Sequence, residues 1–121
     1  MFCNCINLKL LNLNGFNTEN VEYMKSMFSS CNVLEELDLR SFKTNKVKDF
    51  STMFGWCFKL ENLYINNFEF SDSANIGQNF FINVSNKNLK IYVKDLATKN
   101  RLVSELPNTS KLNERNFICV E

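Results

Sequence analysis

The sequence predicts an α/β solenoid, a right-handed stack of 26-residue coils with short parallel strands and a C-terminal helical cap. Three observations predict it. Met1-Phe2, Met27-Phe28 and Met53-Phe54 recur 26 residues apart. In the same register run Cys5, Cys31 and Cys57, then Leu11, Leu37 and Leu63, then Phe16, Phe42 and Phe68. The leucine segments also alternate apolar and polar residues, which marks a strand with one face buried. A short period of this kind means one supersecondary unit stacked on copies of itself.

Each element follows from that frame. Leu11-Asn12-Leu13, Leu37-Asp38-Leu39, Leu63-Tyr64-Ile65 and Leu89-Lys90-Ile91 alternate in polarity, and the last is read as keeping the 26-residue phase. Parallel strands are therefore expected near residues 8–13, 34–39, 60–65 and 89–93. The second half of each coil reads as helical. Val21, Met24, Met27 and Phe28 fall on one helical face, and Val47, Phe50, Met53 and Phe54 repeat it, with Thr18 or Asn20, and then Thr44, near the starts. The third copy is degenerate, with Phe70 in place of the Thr, Ser73 in place of the Val, and Gly77 interrupting it. Residues 1–94 thus form the repeat region, about 3.5 coils.

Residues 95–121 are expected to cap it. A helix within 95–106 starts near Asp95 and is closed by Pro107, and Phe117-Ile118-Cys119-Val120 reads as a last strand. Terminal units of stacked arrays are atypical because they hide an open apolar end. At the other end Met1 is itself the repeat methionine, so the chain begins inside a coil. Three readings remain open: a longer natural array, a late start, or self-association through the uncapped first coil. The longer array is favoured.

Bulk composition narrows the function. A chain of 121 residues that is 45% hydrophobic, with 12 Phe, fits one folded domain. The net charge of +1 argues against a nucleic-acid partner. No apolar run is long enough for a transmembrane helix, and no basic-then-apolar start marks a signal peptide. His is absent, and no phosphate loop, nucleophile elbow or metal-spaced cluster occurs, so neither catalysis nor a cofactor is expected. Five Cys cannot all pair within one chain. Cys5, Cys31 and Cys57 read as a buried ladder of thiols, with Cys3 and Cys119 outside it.

The wording M-F-x-x-C-x-x-L-x-x-L-x-L-x-x-F-x-T-x-x-V-x-x-M-x-x-M-F stands from Met1 to Phe28 and again, with Phe50 at the position of Met24, from Met27 to Phe54. It resembles the BspA-type leucine-rich-repeat proteins, and within them a Mycoplasma-lipoprotein-type domain of unknown function. The third copy departs at Phe70, Ser73 and Asn79. The resemblance implies a leucine-rich-repeat-like stack in a surface-exposed or secreted protein, with a role in adhesion or in binding a host or neighbouring-cell protein or glycan. It implies no catalytic residues. With no signal peptide visible in the chain, a cytoplasmic location stays open beside the surface one.

The expected binding surface is the outer face of the strands. Columns are expected through Asn12, Asp38, Tyr64 and Lys90, through Asn14, Arg40, Asn66 and Tyr92, and through Leu10, Glu36, Asn62 and Asn88. Asp38, Arg40, Tyr64, Asn66, Lys90 and Tyr92 are the candidate contact residues, since Tyr and Arg are enriched at binding hot spots. The alternative is a spacer in a larger surface array, in which these are solvated strand residues with no ligand.

Overall fold

The computed structural model describes residues 11 and 13–120. Four strands form one parallel sheet in chain order: β1 (Glu36–Asp38), β2 (Asn62–Ile65), β3 (Lys90–Val93) and β4 (Phe117–Cys119). One helix, α1 (Leu96–Glu105), lies between β3 and β4, giving an α/β arrangement. The strand expected at residues 8–13 lies largely outside the described residues, as do Cys3 and Cys5.

The register shows where the repeat holds and where it slips. Leu37 pairs with Leu63, 26 residues on. Leu63 then pairs with Ile91, not with Leu89. Two extra residues have entered before β3, so the reading that Leu89-Lys90-Ile91 keeps the 26-residue phase is corrected. The alternation survives because a shift of two keeps every side chain on its own face.

The expected helices in the second half of each repeat are turns instead. Ser26, Ser30, Thr52 and Trp56 have φ of 57°, 63°, 60° and 59°, the left-handed region. A left-handed residue every fourth position breaks an α-helical hydrogen-bond ladder. The freed N–H groups point sideways. Those of Met24, Ser26, Phe28 and Ser30 donate to the carbonyls of Asp49, Ser51, Met53 and Gly55 at 2.8–3.0 Å. Met27, Ser29 and Cys31 meanwhile donate back three residues, closing each turn. Such a row of turns sends every third or fourth side chain inward, which is why its sequence imitates a helical face.

Between the sheet and the turn rows lies a core of like residues packed on like. Phe28 stacks on Phe54 (6.0 Å, 3°) and Phe42 on Phe68 (6.4 Å, 9°). Cys31 and Cys57 are fully buried and unbridged. The Cys57 thiol donates to the Phe28 carbonyl at 3.3 Å, and burial pushes its pKa up to about 12.

Thr18 and Thr44 do not cap helices. The Thr44 hydroxyl donates to the Glu69 carbonyl and accepts the Glu69 N–H, both at 2.8 Å, and Thr18 treats Lys43 in the same way. Each buried threonine pegs one repeat to the next. Phe70 takes this position in the third copy and packs against Phe50 at 4.6 Å. There Arg101 of α1 takes up backbone carbonyls, donating to those of Phe70, Ser71 and Ala74 at 2.8–3.1 Å. Helix α1 is started by Asp95, whose carboxylate accepts the Thr98 N–H at 2.8 Å, and is buried through Leu102.

Candidate functional site

Alternation along β1, β2 and β3 turns Leu37, Leu63 and Ile91 inward and Asp38, Tyr64 and Tyr92 outward. These three are neighbours in register. The expected column ending in Lys90 is therefore corrected: the two-residue slip puts Tyr92 beside Tyr64, and Lys90 moves next to Asn62. Ile118 of β4 follows Tyr92 in the same row.

The slip creates a contact that a strict 26-residue phase would not. Tyr64 and Tyr92 stack with centroids 4.7 Å apart and planes within 7°. The Arg40 guanidinium lies 5.1 Å from the centre of the Tyr64 ring. Asp38 holds it there, accepting from Nε at 2.9 Å and from the terminal nitrogen at 2.7 Å, while also accepting the Arg40 backbone N–H at 3.0 Å. Side-chain hydrogen bonding to Arg40 keeps the Asp38 carboxyl below the usual carboxylate range and pushes the guanidinium up. Partial desolvation, then Glu36 and Tyr92, push the Tyr64 phenol up, so it stays a neutral hydroxyl donor.

The magnitudes separate what this arrangement adds in stability from what it adds in order. An exposed ion pair contributes about 0–1 kcal/mol and an exposed cation–π contact roughly 0.5–1 kcal/mol. Arg40 and Asp38 keep 55% and 36% of their side-chain surface exposed. The gain in stability is small, whereas the gain in order is large: four side chains are held in fixed relative positions. Two of the guanidinium's five N–H groups engage Asp38, which leaves others to meet a ligand.

The other candidates stand apart. Lys90 is exposed at the start of β3. Asn66 follows β2 and is half-buried, with its side-chain oxygen covered and unpaired among the described residues. Beside Arg40 opens a polar cleft of about 490 Å³ whose walls include Lys43, Asn67, Glu69 and Lys94. Sequence reasoning passed over these, because they lie in turns outside the alternating segments. Asn67 bonds the Arg40 carbonyl at 2.7 Å, and Lys94 meets Glu69 at 3.8 Å.

All six candidate residues fall within a region that matches one family model, residues 1–93, which ends where β3 ends. The chain belongs to the family described as Mycoplasma protein of unknown function, DUF285. Neither a curated protein nor a solved structure matches the chain. Helix α1 and β4 lie beyond the family region, and β4 completes the sheet by pairing with β3. Among the described residues no group of three or more His, Cys, Asp and Glu side chains is placed to hold a metal ion, and no helix is long and apolar enough to cross a membrane.

Proposed function

We propose that this chain is a non-catalytic recognition module that binds a macromolecular partner, a protein or glycan, through the strand face centred on Arg40, Tyr64 and Tyr92. In this reading the chain is a solenoid of 26-residue coils of the BspA-type leucine-rich-repeat kind, carried at a cell surface or secreted. One observation carries the reading: a stacked tyrosine pair with an arginine laid on it and fixed by a carboxylate. Residues that are rigid before binding lose little entropy on complex formation, and Tyr and Arg lead the residue types at hot spots.

A spacer is the second reading. It is favoured by the density of repeat-to-repeat bonding at Thr18 and Thr44, which stiffens a rod whether or not it binds anything. Affinity capture from host-cell surface extract, with the chain and its Arg40→Ala/Tyr64→Ala double mutant as baits, separates the two. Recognition predicts a partner retained by the first and lost by the second, with thermal melts unchanged. An identical set of captured molecules on both baits removes the strand face from consideration.

A further inference from the structure

On the turn side of the molecule a groove of about 290 Å³ opens between the turn rows and the loop that follows α1. Its lining combines aromatic surface with polar side chains. Trp56, Phe58 and Phe81 supply the rings. Phe81 is buried against other phenylalanines, but Phe58 is 41% exposed, and among the described residues no other ring lies against Trp56 or Phe58. The lining also carries Asn83, Ser85 and Thr109, all exposed, and among the described residues none of these side chains is engaged in a hydrogen bond. Lys111 is the one charged residue of the lining.

Trp56 is also an expensive choice. It is the chain's single tryptophan and sits in a left-handed backbone position. The turn requires that conformation, as Ser30 shows one repeat earlier with φ of 63°. It does not require a bulky side chain, which is disfavoured there, whereas short polar residues tolerate it. A costly residue that lines a groove points to use of its ring.

From exposed aromatic surface lining the same groove as unengaged hydroxyl and amide groups, we propose that this groove binds a single pyranose unit, free or at the end of a glycan. A pyranose has apolar C–H faces that lie on an aromatic ring and hydroxyls around its rim. It would therefore cover the Trp56 and Phe58 rings while pairing the free polar groups of Asn83, Ser85 and Thr109. A purely apolar ligand would bury those polar groups unpaired, which costs free energy. The groove volume lies at the small end for ligand sites, fitting one ring better than several. The site is separate from the strand face, so its failure leaves that reading untouched.

The lone tryptophan makes the groove its own reporter. The full chain is titrated with glucose, galactose, mannose and N-acetylglucosamine, and with cyclohexanol as the apolar control, following tryptophan emission. At least one sugar is expected to give a saturable change with a dissociation constant of about 1–10 mM. Phe58→Ala, at an exposed position, and Thr109→Val should each weaken it roughly tenfold while leaving the thermal melt unchanged. No saturable response to any of the four sugars overturns the proposal. So does binding retained in both variants, or cyclohexanol binding as tightly as the best sugar.

Discussion

The threonine pegs offer the sharpest test of how neighbouring repeats are joined. Thr44 is 1% exposed and its hydroxyl makes two bonds to the Glu69 backbone, one given and one received. Thr44→Val keeps the shape, so no cavity term enters. The loss is two hydrogen bonds, with an N–H and a C=O left without partners in a partly buried position. Each bond contributes about 1 kcal/mol and an orphaned group costs about 1–3 kcal/mol. Some water reaches Glu69, so the expected total is about 2–3 kcal/mol. For a chain of this length that lowers the melting temperature by roughly 10 °C. Thr44→Ser keeps the hydroxyl and loses one methyl, which should cost only about 1 kcal/mol. Urea unfolding of the three proteins measures the difference. If Thr44→Val is as stable as the parent, or if Ser is worse than Val, the hydroxyl is not the connection.

Phe42→Ala removes a ring that is 1% exposed and stacked on Phe68, and should destabilise by about 3–5 kcal/mol in the same urea assay. Thiol labelling of the native chain near about pH 8 should modify Cys119 well before Cys31 and Cys57, since burial keeps the Cys57 thiol protonated; fast native labelling of Cys57 contradicts the buried ladder. Asp38 has its pKa lowered in the folded state, so its pairing stabilises above the unfolded-state value, near 3.8, and that contribution is lost as pH falls through the lower folded value. The stability gap between the parent and Asp38→Asn should therefore close on acidification, and a gap that widens would reverse the assigned sign.

Much of the architecture was legible in the sequence because period-two alternation is a direct image of a strand. Glu36–Asp38, Asn62–Ile65 and Lys90–Val93 fall inside the expected segments, and the cap helix at Leu96–Glu105 was announced by Asp95 and Pro107. Two features were not legible. The slip before β3 hides because a two-residue insertion preserves alternation, so Leu89 and Ile91 are both plausible partners of Leu63 until hydrogen bonds decide. The turn rows hide because Met24, Met27 and Phe28 keep a helix-like spacing, while the backbone that produces it bends left-handed at Ser26 and Ser30. Serine at those positions is compatible with either path. The candidate face was half legible: alternation assigned Tyr64 outward, but only the corrected register brings Tyr92 to it and sends Lys90 away.

That register also constrains how the strand face can recognise anything. Arg40 lies on the Tyr64 ring and Tyr92 is stacked on it, so neither ring face of Tyr64 is open for a ligand to lie on. What it offers is its edge and its hydroxyl. The row continues from Tyr92 to Ile118, which adds apolar area without a new hydrogen-bonding group. A partner fitted to this face would thus present acceptors to Arg40 and the phenols, with an apolar surface alongside Ile118. Arg40→Lys distinguishes this from simple charge attraction. Lysine retains the positive charge but loses the planar fork that bonds Asp38 while covering the ring. If binding of a captured partner depends on the ordered stack, Arg40→Lys should weaken it nearly as much as Arg40→Ala. If charge alone matters, Arg40→Lys should bind as the parent does, and high salt should abolish binding by both.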